Sequence, residues 1–288
     1  MLKHLNMYIS FAKLFGAKVC LYGIDIDSLD TTEYRSQWKR IFKSVDFIET
    51  RNATCAKQLK NIVGDSDRII SGVDITHAFY TEEEAHQINL LRKYNLEQPY
   101  IIWAVAMPWS AEELQRTDIK QRYVKLCGQF RNLLESKNDT HHVFLPFFAG
   151  TDITMINDIV QGTNVDYTVI NQECPIGEKR LFFKYAEEAV VMRFHGVQFA
   201  LFCGTPFVAV SYSPKTTNIL KEFGLIGMYV EYGIRESSCF KKEFDISEEK
   251  WKKLINDRES QKEAVESASQ KLKKIARDRK KLLLEWLK

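Results

Sequence analysis

Short apolar runs alternate with amphipathic segments of helix length along most of this chain, and that alternation constrains the fold most. Residues 2–15 have helical apolar spacing, and Gly16 follows where the end of a helix favours φ > 0. Strands separated by helices of this length form right-handed βαβ units in a parallel sheet, so we predict an α/β fold. The predicted strands are residues 18–22, 45–49, 68–71, 99–106, 142–147, 165–170, 189–192 and 206–211.

The chain has 288 residues, which usually means two domains. A polar, helical segment at residues 81–98 separates three predicted strands from five, so we place the boundary within it. We predict a partial first domain at residues 1–90, a second domain at 91–240 that binds a phosphorylated donor, and a charged helical segment at 241–288. The first domain opens on a helix and has few strands, so we expect its N-terminal part to be missing.

Capping residues mark two predicted helix starts. Asp30 is placed to cap a helix that runs to about Lys43. Ser110 and Glu113 have the spacing of a capping box for the first helix of the second domain. Both patterns satisfy backbone N–H groups that a helix start leaves without partners.

Charge and cysteine content exclude several functions. Lys and Arg number 41 against 38 Asp and Glu, and a net charge of +3 gives no field that implies a nucleic-acid partner. The six cysteines lie far apart without metal-ligand spacing, so we expect reduced, mostly buried thiols and no metal site. Without an apolar stretch of membrane-spanning length or a signal-peptide pattern, we expect a soluble, cytoplasmic protein.

The last 18 residues are strongly basic, with eight Lys or Arg against two acids. They end in an apolar stripe that includes Leu282, Leu283, Trp286 and Leu287. Such a helix is typical either of peripheral docking on the inner face of a membrane or of packing on the protein body with its lysines in water. Both interpretations stay open at this stage.

The segment 186–225 carries the main site prediction, because it reads as strand, helix, strand, helix with a tight turn at each junction. Arg193 and His195 open the first helix. Ser213 and Pro214 are the N-cap and first helical residue of the second, and Lys215 follows. In parallel sheets the helix N-termini beyond the strand ends offer N–H groups to anions.

Two cationic helix starts on neighbouring strand ends predict a site for a phosphate or carboxylate. The alternatives are that Arg193 solvates the loop and that His195 caps the helix. No glycine-rich phosphate loop is present, which excludes a Walker A or a dinucleotide-binding motif. The site predicted here therefore depends on side-chain cations and helix ends.

The stretch 192–215 resembles the signature region of the polysaccharide pyruvyl transferase family, which usually reads R-L-H, A-G-x-P and S-Y-D-P-K. This chain has Arg193-Phe194-His195, Cys203-Gly204-Thr205-Pro206 and Ser211-Tyr212-Ser213-Pro214-Lys215. Residues 11–29 and 46–52 resemble the family's earlier helix and strands, which places Arg51 at a strand end in the first domain. The resemblance covers about residues 5–235. It departs from the family at Phe194 and Ser213, and the family's N-terminal Gly-Asn-rich stretch is absent.

The resemblance implies two Rossmann-like domains in the GT-B arrangement and transfer of the carboxyethylidene unit of phosphoenolpyruvate to sugar hydroxyls in cell-surface polysaccharide synthesis, with no further cofactor. It implies that Arg193, Lys215, Ser211 and Arg51 bind phosphoenolpyruvate, and that His195 binds phosphate or donates a proton. The implied partner is a glycan or sugar-lipid acceptor.

Two other functions remain open. One is a GT-B glycosyltransferase that uses a nucleotide sugar, for which Glu222 and Glu231 are the candidate ribose ligands. The other is a non-catalytic anion-binding remnant. We interpret Asp74 and His77, in the segment 72–80, as structural.

Overall fold

The computed structural model describes residues 2–26, 31–78, 84–96, 98–148, 150–170, 173–236, 239–243 and 258–288. The chain divides into two compact units, residues 1–81 with 271–288, and residues 82–270. Each unit has its own parallel sheet, and a separate antiparallel hairpin, β10 (Gly233–Glu236) with β11 (Cys239–Glu243), follows the second sheet. The predicted α/β fold is confirmed.

The first unit is a three-stranded parallel sheet with helices between its strands. Its elements are α1 (Leu2–Leu14), β1 (Cys20–Ile24), α2 (Thr32–Ser44), β2 (Phe47–Thr50), α3 (Ala53–Val63), β3 (Ile69–Ser71) and α4 (Ile75–Ala78), and the strand order is β1-β2-β3. Trp38, Ile41 and Leu59 are buried in the core that these helices share with the sheet. Gly16 has φ 74°, as its position at the end of α1 predicts.

Two features of the first unit differ from the sequence prediction. Thr31 caps α2, with its hydroxyl accepting a hydrogen bond from Tyr34 N at 3.1 Å, and Asp30 lies outside the described residues. Strand β1 begins later than predicted because the Asp46 carboxylate accepts the Val19 amide at 2.7 Å, which takes that N–H out of the ladder. Local side-chain competition for backbone donors therefore sets both boundaries.

Glu49 is a fully buried acid on the central strand β2. Burial raises the pKa of its carboxyl to about 7, while Arg279, the Val73 amide and the Tyr22 hydroxyl act in the opposite direction. Its side chain fills the space beside Gly72, where an added Cβ would lie 1.9 Å from Oε1. Glycine at position 72 is therefore what makes room for this carboxylate.

The second unit is a six-stranded, fully parallel sheet. Its elements are α5 (Glu84–Lys93), β4 (Tyr100–Ala104), α6 (Thr117–Glu135), β5 (His141–Phe144), α7 (Thr151–Val160), β6 (Tyr167–Val169), α8 (Ile176–Lys184), β7 (Glu188–Val191), α9 (Phe194–Cys203), β8 (Phe207–Ser211), α10 (Pro214–Glu222) and β9 (Tyr229–Glu231). Trp103, Phe130 and Phe144 lie at the centre of its core.

The capping box at Ser110 and Glu113 is confirmed by reciprocal hydrogen bonds, from Ser110 N to Glu113 Oε2 at 2.7 Å and from Glu113 N to Ser110 Oγ at 3.2 Å. It opens a single 3₁₀ turn, Glu113–Gln115, and the long helix α6 begins only at Thr117. The box thus stabilises the turn that leads into the helix.

The last helix, α11 (Arg258–Trp286), begins in the second unit and ends in the first. In the first unit, the Trp286 ring stacks on Phe47 with centroids 6.3 Å apart, while Leu284 and Leu287 are exposed. The packing interpretation of the tail therefore holds for Trp286. Within the described residues, no helix is both long and apolar enough to cross a bilayer.

Candidate functional site

The strand order of the second unit puts a topological switch point at the carboxyl edge of its sheet. The order is β6-β5-β4-β7-β8-β9, so the chain proceeds outward in one direction from β4 and then restarts on the other side with β7. At such a switch point the loops after the two central strands turn away from each other, and ligands bind beyond the carboxyl ends. The switch point here lies between the ends of β4 and β7.

Arg193 is located at this switch point. It lies two residues after the end of β7 at Val191 and is the N-cap residue of α9, with extended backbone geometry. Its amide donates to Ala104 O, the last residue of β4, at 3.1 Å. No side-chain hydrogen bond from Arg193 caps the helix. The first turn of α9 therefore begins at the switch point, and its N-cap side chain makes no capping hydrogen bond.

Gly196 allows α9 to start so close to the sheet. A Cβ added at this position would lie 2.8 Å from the Ala104 Cβ and 3.4 Å from Val191 Cγ1. Distances this short require the helix to move away from β4. The glycine after His195 is thus a packing requirement, and it brings the first-turn amides of α9 close to the strand ends.

A buried ion pair orients the Arg193 side chain. Its Nε donates to Asp152 Oδ2 at 3.1 Å, and a second N–H donates to Oδ1 of the same fully buried carboxylate. The Asp152 carboxylate also accepts the amides of Phe147 and Phe148, both at 3.0 Å. Asp152 follows β5 and Arg193 follows β7, so the pair extends past the end of β4. Among the described residues, Asp152 engages two of the five guanidinium N–H donors of Arg193, and the other three are the ones that we assign to a ligand.

Lys179, Phe147 and His195 form an aromatic and cationic cluster beside this pair. The buried Lys179 Nζ donates to Pro146 O at 2.8 Å and lies 5.2 Å from the Phe147 ring centroid. Burial lowers the pKa of Lys179, while Cys174 and Asp152 act to raise it. The His195 ring stacks on the Phe147 ring, with centroids 6.3 Å apart and an interplanar angle of 13°. Phe147 therefore orients the ring of His195, the second residue of α9.

The junction after β8 adopts the predicted capping geometry. The Ser213 hydroxyl accepts the Lys215 amide at 3.4 Å, and Pro214 is the first residue of α10. Lys215 is exposed in the first turn. Ser211 is fully buried, and its hydroxyl pairs with Thr217 Oγ1 at 2.9 Å, so it braces the turn. Contact between Ser211 and a ligand stays a prediction.

Gly204 is the C-cap residue of α9 and belongs to the Cys203-Gly204-Thr205-Pro206 turn. It ends α9 in the left-handed conformation, with φ 79°, and Thr205 Oγ1 donates to Phe183 O at 2.5 Å. The turn at residues 204–206 therefore lies at the opposite edge of the sheet from Arg193. Its role is to return the chain to β8.

Arg51 belongs to the first unit and has two acidic partners there. Its Nε lies 3.1 Å from Asp74 Oδ2, and its NH1 lies 3.4 Å from Asp25 Oδ2. Burial acts to raise the Asp74 pKa, but Arg51 and two hydrogen bonds from Thr76 outweigh it and lower the pKa overall. Asp74 is thus a partner of Arg51, in keeping with its structural interpretation. A ligand contact of Arg51 stays a prediction.

The two candidate ribose ligands differ in position. Glu222 is the last residue of α10, so the helix length separates it from the ligand-binding edge at Ser213. Glu231 ends β9 and pairs in register with Ser211, which puts its backbone at the ligand-binding edge. The Glu231 side chain lies outside the described residues. Position alone therefore favours Glu231 over Glu222.

Sequence reasoning missed Asp152, Lys179 and Phe147. An acid in the first turn of a helix that follows a buried strand was a usable signal for Asp152. Lys179 lies within α8, and the neighbouring sequence does not indicate that its ammonium group is buried. Both residues reach the site only through tertiary packing of α7 and α8.

No protein-family model and no curated protein sequence matches this chain. Solved structures do. The chain is similar to Anabaena HepE in complex with UDP (10% identity, TM-score 0.57, covering 100% of this chain and 76% of that one). It is also similar to the MnaA–UDP complex of S. aureus (13%, TM-score 0.56, 91% and 64%) and to the trehalose-6-phosphate synthase OtsA (10%, TM-score 0.53, 99% and 70%).

The chain spans just under two thirds of the length of MnaA. At these identities the likeness establishes the fold, and that fold is GT-B. The predicted pair of Rossmann-like parallel-sheet domains with a C-terminal helix is therefore confirmed.

Proposed function

We propose that this chain is a transferase whose donor substrate carries phosphate, bound at the first turns of α9 and α10. One observation carries the proposal: the first turn of α9, with Arg193 at its N-cap, lies at the topological switch point of the second sheet. Helix N-termini at such a point concentrate oriented N–H groups and partial positive charge. Arg193 and Lys215 add two formal charges from neighbouring strand ends.

The geometry suits a departing phosphate. When the bond to the transferred group breaks, negative charge grows on the phosphate oxygens, and fixed donors that face this charge lower the barrier. Asp152 fixes the Arg193 fork, and Phe147 fixes the His195 ring, so neither has to be ordered during the reaction. His195 either donates to the phosphate or delivers a proton to the reacting group.

A nucleoside diphosphate sugar is the donor that the comparisons favour, because two of the similar structures hold UDP. In that reaction an acceptor hydroxyl attacks the anomeric carbon, the bond to the β-phosphate oxygen breaks, and UDP leaves with the electron pair. Glu231 is the proposed ligand of the ribose hydroxyls.

Phosphoenolpyruvate is the second candidate donor, favoured by the spacing of residues 193–195, 204–206 and 211–215. In that reaction the enol methylene takes a proton, one sugar hydroxyl adds to the adjacent carbon, and a second displaces phosphate to close the ketal. A small donor with a phosphate and a carboxylate needs several cations in one place. Arg193 and Lys215 are the described residues of the second unit that we assign to this task.

Isothermal titration of the full chain with UDP, UDP-glucose and phosphoenolpyruvate tests the proposal. Lys215→Gln removes an exposed cation, and Lys221→Gln is the matched control at the other end of α10. A charge-assisted contact of about 1.5–3 kcal/mol corresponds to a roughly 10- to 150-fold weaker affinity for Lys215→Gln. Lys221→Gln should bind as the wild type does.

The outcomes separate the two donors. UDP binding that weakens in Lys215→Gln and in Glu231→Gln supports nucleotide-sugar transfer. Phosphoenolpyruvate binding that weakens in Lys215→Gln but not in Glu231→Gln supports pyruvyl transfer. Equal effects of Lys215→Gln and Lys221→Gln, or no heat with any of the three compounds, contradict the phosphate site.

A further inference from the structure

Helix α1 has two apolar faces, and only one of them is packed. Leu2, Leu5 and Ile9 face the core of the first unit. The opposite side, which we term the α1 outer face, leaves large side chains 58–78% exposed. Its members are Met7, Tyr8, Phe11, Leu14 and, directly after the helix, Phe15.

The outer face is a continuous patch. Its residues recur at spacings of three and four, which places them on one side of the helix. The Phe11 and Phe15 rings meet edge to face, with centroids 5.0 Å apart. A contiguous exposed apolar patch of this kind marks an interaction surface.

The helix that packs beside α1 carries several exposed cations. Helix α1 packs against α2, whose exposed residues include Arg35, Lys39, Arg40 and Lys43. The only acid in α2 is Glu33, and it pairs with Lys3 of α1 at 2.9 Å. The helix that packs against α1 therefore carries a strong excess of positive charge.

The two units also differ in net charge. Residues 1–81 and 271–288 contain 19 Lys or Arg against 11 Asp or Glu, whereas residues 82–270 contain 22 against 27. The net charge of +3 is therefore the sum of a net charge of +8 on the first unit and −5 on the second. The exposed apolar helix belongs to the positive unit.

We propose that the α1 outer face binds an anionic lipid bilayer, with Tyr8, Phe11, Leu14 and Phe15 in the interfacial layer and the α2 cations at the headgroups. Aromatic and aliphatic side chains next to a row of lysines and arginines are the composition of helices that lie in a membrane interface. A second copy of this chain fits less well, because a two-fold contact through α1 would bring two cationic α2 helices together.

Co-sedimentation of the full chain with vesicles tests this inference. Vesicles of phosphatidylcholine mixed with phosphatidylglycerol should bind the protein, and vesicles of phosphatidylcholine alone should bind it much more weakly. The double variant Phe11→Ser with Phe15→Ser should lower partitioning at least roughly tenfold. The matched control is Val124→Ser with Ile226→Ser, two exposed apolar residues of the second unit, and it should bind normally.

A charge series identifies the basic element involved. Lys39→Gln, Arg40→Gln and Lys43→Gln together should lower partitioning about a hundredfold, at about fivefold per cation near the surface. Lys273→Gln, Lys274→Gln and Lys280→Gln in α11 should have a smaller effect. The binding should also weaken as salt rises.

Three results overturn the proposal. The first is no binding to the mixed vesicles. The second is binding that the Phe11 and Phe15 substitutions leave unchanged but the α11 substitutions remove, which assigns the contact to the tail. The third is a dimer in sedimentation velocity that Phe11→Ser with Phe15→Ser dissociates, which assigns the face to a second copy.

Discussion

Replacing Asp152 by Asn should destabilise the second unit far more than a conservative change usually does. The substitution keeps the shape but removes the charge that Arg193 contacts through two N–H groups. Asp152 is fully buried, and the Arg193 side chain is only 15% exposed, so the guanidinium would stay in a poorly solvated place without its counter-ion. Two backbone amides would also lose a charged acceptor.

Breaking a buried ion pair from one side costs about 3–5 kcal/mol. For a unit of this size each kcal/mol lowers the Tm by about 2–4 °C, so Asp152→Asn should lower it by about 6–20 °C. Asp166→Asn is the control, because its side chain is 80% exposed and pairs with His141 at the surface. Such surface pairs contribute about 0–1 kcal/mol.

Urea denaturation, followed by fluorescence and by hydrogen exchange of residues 141–160, measures the difference. A double variant, Asp152→Asn with Arg193→Met, should recover part of the lost stability because it leaves no unpaired charge. If Asp152→Asn lowers the unfolding free energy no more than Asp166→Asn does, the Asp152–Arg193 ion pair does not hold Arg193 in place. The proposal of a preorganised site would then be wrong.

Three further predictions concern backbone packing, titration and capping. Gly196→Ala should cost about 1–3 kcal/mol and weaken donor binding, whereas Gly128→Ala in α6, which has open space, should be neutral or stabilising in thermal melts. Because the Glu49 pKa is raised to about 7 from 4.5, the folded state binds more protons than the unfolded state between these values, so unfolding free energy should fall as pH rises from about 5 to 8. Glu49→Gln should flatten that slope in denaturation series, and an unchanged slope would point to other groups. Ser213→Ala should cost about 1 kcal/mol in urea titrations through loss of the α10 cap, and a cost near zero would mean that the cap contributes little.

The βα order could be predicted from the sequence because apolar runs and turn residues act locally. Gly204 and Ser213 show this well, since a left-handed helix end and an N-cap depend on a few adjacent residues. Strand limits were less predictable. The strand predicted for residues 142–147 ends at Phe144, because Pro146 lacks an N–H and the next two amides bind Asp152.

The strand order and the paired partners of the site could not be predicted from local patterns. The switch point between β4 and β7 depends on how strands distant in sequence pair. Asp152 and Lys179 meet the site through helices that follow other strands. The α1 outer face was equally hard to predict, because helical apolar spacing over residues 2–15 predicts a buried face and only the tertiary structure identifies the apolar side chains that remain exposed.

The proposed function requires that a donor phosphate binds at the first turn of α9. A crystal structure of the chain with whichever of UDP and phosphoenolpyruvate binds more tightly tests it most directly. We expect phosphate oxygens within hydrogen-bond distance, about 3 Å, of the His195 and Gly196 amides and of an Arg193 N–H outside the Asp152 pair. Phosphate bound at another edge of the sheet, with the first turn of α9 in contact only with solvent, would contradict it.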